Sequence, residues 1–434
     1  MLIKDLLNKK ILVWGYGIEG QSAVDFLQKH NYNKTILVAT PNKIEQNINN
    51  VQFIAESEIE NYDFDFVIKS SGISLYKDKV KQLQQRNIEI SSILNIFLTE
   101  AQNKHCKIIG ITGTKGKSTT TSVCYFILQK LGYKVAIAGN IGIPVLNLID
   151  NIDKYDYICL ELSSYQTAGL KYNVDYGVVL NLFPEHIDWH LTHENYYKDK
   201  LNILNFAKNK IVNYSDNLTQ KFLQNSNYLY FNAENGFYVS NGFVYFKNDK
   251  IIDINKVESI HGEHIFGNLC AVLTILQNEN IDFGKVENIL RDFKTLEHRL
   301  EVFYNNKKRN IIYVNDSIAT IPEATLADLK SFENYEHIRL VLGGFERQQD
   351  FAQLINYIKQ KQNIDVYLVG TTGKRLINMF DNSKYFNSYD DLVNSIKQNI
   401  LDNTAIILSP ASPSFDMFKK FEERGTLFKT LMLK

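Results

Sequence analysis

Residues 107–131 read as a short apolar strand, a glycine-rich turn and a helix in direct succession, and this stretch constrains the fold more than any other. Lys107-Ile108-Ile109 leads into Gly110-Ile111-Thr112-Gly113-Thr114-Lys115-Gly116-Lys117-Ser118, and a helical pattern runs from Thr119 to Leu131. Glycines let successive backbone N–H groups converge on phosphate oxygens without Cβ clashes. A helix N-terminus adds partial positive charge. Lys117 supplies an ammonium for the β/γ-phosphates and Ser118 a hydroxyl for Mg²⁺, so strand, loop and helix predict a nucleoside-triphosphate site. A Walker A loop would place glycine at position 111. Here the first glycine falls one residue earlier, giving G-x-x-G-x-x-G-K-S.

A second glycine turn follows the strand Ile11-Leu12-Val13-Trp14, as Gly15-Tyr16-Gly17-Ile18-Glu19-Gly20. GxGxxG after a strand suggests a dinucleotide site, but the next strand should then end in Asp or Glu to hold a ribose hydroxyl. It ends Ala39-Thr40-Pro41. The turn therefore reads either as a phosphate contact or as a tight packing turn. Downstream, strand patterns at 135–138, 157–162 and 176–180 alternate with helical stretches, which predicts α/β with a mostly parallel central sheet. Aromatic and β-branched residues from Tyr228 to Ile252, with Asn-Gly at 235–236 and 241–242, predict antiparallel hairpins at the edge of that sheet. A third alternating unit carries strands at 311–314, 338–342, 365–369 and 405–408. The expected division is 1–100, 101–295 and 296–434, with Rossmann-like first and last domains around a central ATPase domain.

The 434 residues carry 48 basic and 48 acidic side chains, so nucleic-acid binding through bulk charge is not expected. The four cysteines are far apart, match no metal spacing and read as buried thiols of a reducing compartment. With no signal-peptide pattern at Met1-Leu2-Ile3-Lys4-Asp5 and no eighteen-residue apolar run, a cytoplasmic protein is expected.

The loop Thr112–Ser118 resembles that of the Mur ligases, ATP-dependent enzymes that build the peptide stem of bacterial cell-wall precursors, and further matches extend along the chain. Within that family it is most similar to the branch joining glutamate to UDP-N-acetylmuramoyl-L-alanine. The resemblance implies ATP held by Gly113, Thr114, Lys115, Gly116, Lys117, Ser118 and Thr119, with Asn268, Arg299 and Asp316 closing over it. Leu160-Glu161-Leu162-Ser163-Ser164-Tyr165-Gln166 is similar to the family segment whose Glu holds Mg²⁺. Asn181 to Asp188 matches a segment whose His, here His186, is a further ligand, with Glu185 in place of Asp. Lys200 matches the lysine that the family carbamylates, which would give the hard cation an anionic oxygen. Lys117, Glu161, His186 and Lys200 are the implied catalytic set; Ser118, Glu161, His186 and carbamylated Lys200 are the implied metal ligands. Gly17, Ile18, Gly72, Asn140 and His186 are implied for the UDP-sugar, although Ala39 stands where the family has an acidic residue for uracil. His264 and Asn268 match half of an adenine-contacting motif.

Thr320, Arg347, Ser414 and Phe421 are implied for glutamate. Three departures cluster around them: Ile318 for Lys, Ile321 for Asn and Arg347 for Lys. A guanidinium has a planar fork and longer reach than an ammonium. Because the enantiomers of glutamate place a carboxylate in mirror positions, this trio favours L-glutamate, with D-glutamate the family default. A Mur-type ligase for another amino acid is the nearest alternative. Folylpolyglutamate synthase shares the loop but not the early GxGxxG domain. A regulatory ATPase without ligation is the alternative of a different class, and dependence of turnover on glutamate separates it. A monomer is expected, using ATP and Mg²⁺, with no nucleic-acid partner and no membrane insertion.

Overall fold

A computed structural model describes residues 2–224, 226–257, 263–294, 296–380 and 382–434, with the side chains of 263 and 264 outside that description. The backbone is α/β throughout and divides into two compact units, Met1–Asp253 with Gly267–Ile289, and Ile254–Phe266 with Leu290–Lys434.

The first unit holds two parallel sheets. Strands β1 (Ile11–Trp14), β2 (Ile36–Thr40), β3 (Val51–Ala55), β4 (Phe66–Lys69) and β5 (Glu89–Ser91) form one, in the order β3-β2-β1-β4-β5. Strands β6 (Lys107–Thr112), β7 (Val135–Gly139), β8 (Tyr157–Glu161), β9 (Val174–Val179), β10 (Ala207–Asn213) and β11 (Leu229–Phe231) form the other, in the order β11-β10-β9-β6-β8-β7. β1, β2, β4 and β8 are buried along their whole length, as parallel strands covered by helices on both faces must be. A single apolar core runs from β1 and the helix Ile93–Ala101 through Ile149 and Ile152 to Val212, so both sheets share it.

The segment 228–252 differs from expectation. β11 pairs parallel with β10 and extends the large sheet. Only β12 (Phe237–Ser240), β13 (Phe243–Phe246) and β14 (Asp249–Asp253) are antiparallel, and they form a separate three-stranded sheet. The Asn241-Gly242 turn between β12 and β13 has φ of 48° and 76°, the left-handed pair that a two-residue hairpin needs.

The second unit carries β15 (Glu301–Asn306), β16 (Ile311–Asn315), β17 (His337–Gly343), β18 (Ile364–Val369), β19 (Ser383–Phe386) and β20 (Thr404–Leu408), in the order β15-β16-β20-β17-β18-β19. All pairings are parallel except that of β15 with β16. Among the described residues no helix is long and apolar enough to cross a membrane.

Candidate active site

In open parallel sheets ligands bind beyond the carboxyl ends of the strands, and β6 and β8 end at the two most informative motifs. After Thr112 the chain turns through Gly113–Gly116 into the helix Lys117–Lys130. Gly116 has φ +82°, a left-handed conformation that favours glycine, and a Cβ there would lie 2.2 Å from the Asn268 amide nitrogen. This contact also brings Asn268 to the loop. The predicted site member His264 has its side chain outside the described residues.

The loop is braced from one side. Asn181 Oδ1 accepts from the Lys115 N–H at 2.8 Å and its amide donates back to the Lys115 carbonyl at 3.0 Å. Thr114 Oγ1 accepts from the Phe183 N–H at 2.9 Å and lies 2.8 Å from the Tyr196 hydroxyl. Lys117 Nζ donates to the carbonyls of Gly113 and Thr114 at 2.9 and 3.0 Å. Lys200 Nζ donates to the same Gly113 carbonyl at 3.0 Å. Two predicted catalytic lysines therefore meet on one loop carbonyl. Lys200 is 2% exposed, and burial, followed by the charge of Lys117, holds its amine well below the ordinary lysine pKa. Ser118 is buried in the first turn of the helix and Thr119 half-buried beside it.

Glu161 ends β8 and is 1% exposed. One carboxylate oxygen accepts from the Asn140 amide at 2.7 Å; the other is buried with no hydrogen-bond partner among the described residues. Gly139 at φ +103° lets β7 turn there, because a Cβ would strike the Glu161 carbonyl at 2.3 Å. His186 sits in the left-handed region at φ +56°, its Nδ1 2.9 Å from the Tyr165 hydroxyl and its Nε2 3.6 Å from Glu185. Burial lowers the His186 pKa, against the pull of Glu185, and raises Tyr165 to about 12. Glu185 also pairs with Lys115 at 3.1 Å.

Among the described residues no set of three or more His, Cys, Asp or Glu side chains converges as an all-protein metal cage. Mg²⁺ does not need one, since it takes one or two carboxylates and completes its shell with water and substrate phosphates. The unpartnered Glu161 oxygen is a donor of the right charge and hardness, so the residues present fit the ion.

The glycine turn after β1 borders a cleft of about 590 Å³ lined by Gly17, Ile18, Gly72 and Asn140, four of the five residues predicted for the UDP-sugar. His186 is not among its lining residues; it lies beside Tyr165 and Glu185. Gly20 has a packing role, since a Cβ there would fall 1.9 Å from the Gly15 carbonyl oxygen. Trp14, Ala39, Pro41, Glu56 and Lys77 line the same cleft, and sequence reasoning named neither Glu56 nor Lys77 as site residues.

In the second unit, a cleft of about 360 Å³ is lined by Thr320, Arg347, Ser414 and Phe421, all four residues predicted for glutamate. Lys420 and Glu422 line it too. Neither was anticipated, although both flank Phe421 in the motif. Among the described residues Arg347 and Lys420 form no ion pair, and one Glu422 oxygen is buried without a partner. Arg424 is 1% exposed and ties the wall together: its guanidinium donates to the hydroxyl and carbonyl of Ser317 at 3.0 and 2.7 Å and to the Ser412 carbonyl at 3.0 Å. Ser317 in turn donates to the Phe421 carbonyl at 2.7 Å. Asp316 is buried and accepts from the Leu300 N–H at 2.7 Å, beside Arg299 in sequence; both residues belong to this second unit. The four cysteines are free and buried, as expected.

A family model described as the Mur ligase middle domain matches residues 111–276, and one described as C2185-like, N-terminal, matches residues 7–94. A Francisella philomiragia protein named UDP-N-acetylmuramoylalanine--D-glutamate ligase is 32% identical over 436 residues, covering 98% of this chain and 97% of that relative. One of the same name from Francisella tularensis subsp. novicida is 31% identical over 438 residues, covering 98% and 95%. Among solved structures, MurF from Acinetobacter baumannii superimposes with a TM-score of 0.65 at 14% identity, covering 98% of this chain and 90% of that one. MurF from Thermotoga maritima in complex with ADP gives 0.62 at 15% identity, covering 99% of both chains. At these identities the structural likeness speaks for the fold.

Proposed function

The chain belongs to the Mur ligase family, ATP-dependent ligases of peptidoglycan synthesis, and on that premise we propose that it joins glutamate to UDP-N-acetylmuramoyl-L-alanine. One observation carries the choice of amino acid. The cleft of the second unit sets two cations, Arg347 and Lys420, beside one carboxylate, Glu422. Glutamate carries the complementary set, two carboxylates and one amine. Thr320 and Ser414 add hydroxyls and Phe421 a wall against the methylenes.

A carboxylate oxygen is a poor leaving group, so amide formation needs activation. On this reading the substrate carboxylate attacks the γ-phosphorus of ATP and ADP departs. The glutamate amine then attacks the acyl carbon of the resulting acyl phosphate, loses a proton, and phosphate departs. The loop N–H groups of 113–118 and Lys117 gather the charge that develops on the transferring phosphoryl group. Ser118, Glu161, His186 and carbamylated Lys200 would hold Mg²⁺, which when bound screens the phosphate charge. Burial lowers the Lys200 pKa and so raises the share of neutral amine, the form that captures CO₂. Asn268, Arg299 and Asp316 complete the nucleotide assignment, and Gly17, Ile18, Gly72 and Asn140 that of the UDP-sugar. Roles follow the divisions 1–100 for the nucleotide sugar, 101–295 for ATP and 296–434 for glutamate, in a monomer acting in the cytoplasm.

The relatives are named for D-glutamate, which supports that enantiomer. L-glutamate is the second reading, favoured by Ile318, Ile321 and Arg347 together. The test offers the purified chain ATP, UDP-N-acetylmuramoyl-L-alanine and D- or L-glutamate separately, with the product read by mass. Glutamate-dependent ADP and a product heavier by one glutamyl residue are expected. ATP hydrolysis indifferent to glutamate would overturn the ligase reading.

A further inference from the structure

The nucleotide-sugar cleft raises a chemical question. The uracil ring presents a C4 carbonyl acceptor beside an N3–H donor, and a site that selects it must offer a donor beside an acceptor. The end of β2, where a Rossmann-like fold places an acidic residue, carries only Ala39, Thr40 and Pro41. The neighbouring strand supplies the missing charge. β2 and β3 pair in parallel with Thr40 opposite Ala55, so Glu56, the next residue, stands level with Pro41 on the same edge. Lys77 reaches that edge from the turn after β4, and its ammonium lies 2.7 Å from Glu56 Oε1. The same ammonium is 6.0 Å from the centre of the Trp14 ring, which is buried beneath the cleft. Trp14, Ala39, Pro41, Glu56 and Lys77 line one cavity.

We propose that the Glu56–Lys77 pair reads the base of the nucleotide, with Glu56 accepting from uracil N3–H and Lys77 donating to O4. The proposal rests on the nucleotide-sugar reading of this cleft and adds its base-selecting residues. The Glu56 side chain keeps 25% of its surface exposed and the Lys77 side chain 45%, so both atoms can meet a ligand while remaining paired. Lys77 engages one carboxylate oxygen and leaves Oε2 for the base. A cytosine ring inverts the pattern: its N3 lone pair would face the carboxylate and its amino group the ammonium, and both contacts would be repulsive. An ion pair that served folding alone would show no preference between pyrimidines.

The experiment is calorimetric titration of UDP and of CDP into the full chain, with ADP saturating so that the phosphate loop is occupied. The wild type, Glu56→Ala and Lys77→Met are compared, and a thermal melt of each checks folding. The wild type should prefer UDP over CDP by about tenfold or more, the scale set by loss of charge-assisted hydrogen bonds. Glu56→Ala should weaken UDP about tenfold and bring the UDP/CDP ratio within twofold of one, and Lys77→Met should reduce the same ratio. The ratio is internal to each protein, so partial unfolding does not imitate the effect. A Glu56→Ala variant that keeps the wild-type ratio overturns the base assignment while leaving the cleft a nucleotide site. A wild type that binds neither nucleotide overturns the nucleotide reading and the proposal with it.

Discussion

Replacing Arg347 by methionine tests the amino-acid cleft most directly. The guanidinium lies on the exposed side of the cleft, 5.9 Å from the Phe415 ring, and among the described residues it has no carboxylate partner. Its removal therefore leaves no protein anion stranded, and the measured loss belongs to the ligand. A charge-assisted hydrogen bond contributes about 1.5–3 kcal/mol, and solvent access puts this one at the lower end, about 1.5 kcal/mol. That corresponds to roughly a tenfold rise in KM for glutamate. The clamp grips a carboxylate away from the attacking amine, so it binds ground state and transition state alike, and kcat should stay within about threefold. Arg347→Lys keeps the charge but loses the fork, and should fall between the two. The assay is coupled phosphate release against glutamate concentration with the other substrates saturating, run separately for each enantiomer. Lys361→Met, outside the cleft, serves as the control. A KM unchanged within twofold, or a fall confined to kcat, would refute the placement of glutamate beside Arg347.

Other substitutions probe other parts. Lys117→Ala should lower kcat on the order of a hundredfold, since it removes the charge that faces the transferring phosphoryl group, and near-normal turnover would discard the phosphate-loop assignment. Lys200→Ala should be weak and partly restored by millimolar acetate or formate. Because the Lys200 pKa is depressed and carbamate forms from the neutral amine, activity should rise with pH through that depressed value and fall below it. CO₂-depleted buffer should mimic the mutation, and a ¹³C carbamate signal should vanish in it; a signal persisting in Lys200→Ala would place the carbamate elsewhere. Ile321 occupies the N-cap of the helix Pro322–Ser331 with no side-chain cap bond. Ile321→Asn should therefore stabilise the protein by about 1 kcal/mol in urea titration, and no gain would mean that the isoleucine's packing offsets the cap.

Much of the fold was legible because parallel strands are apolar throughout and end at turn residues with one conformational solution. Gly116 and Gly139 each occupy positions where a Cβ would strike a neighbour. The phosphate loop could be read locally for that reason, whereas Glu161 at the end of β8 was read through the motif around it. The cleft proposed for glutamate was legible only through motifs, since Thr320, Arg347, Ser414 and Phe421 come together from separate parts of the sequence. What escaped was pairing across elements. Leu229–Phe231 has the composition of a hairpin strand, yet its partner is β10 and the pairing is parallel. Glu56 and Lys77 look like ordinary surface charges until the fold sets them around one cleft, and so do Lys420 and Glu422, which line another. His186 is a third case: the motif match gave it two roles, and its ring lies beside Tyr165, outside the lining of the cleft after β1.

The Arg424 strut has a consequence for synthesis of the chain. The phosphate loop, Glu161 and Lys200, with Asn268 against Gly116, are all on hand once residue 268 has emerged from the ribosome. The cleft proposed for glutamate waits for the helix Phe421–Leu433, whose start supplies Phe421, Glu422 and the arginine that fastens Ser317 to Ser412. A nascent chain thus completes the loop proposed for ATP long before it has a wall for the cleft proposed for glutamate. Products of interrupted translation would carry the first without the second, and a selection based on nucleotide retention would enrich them alongside finished enzyme.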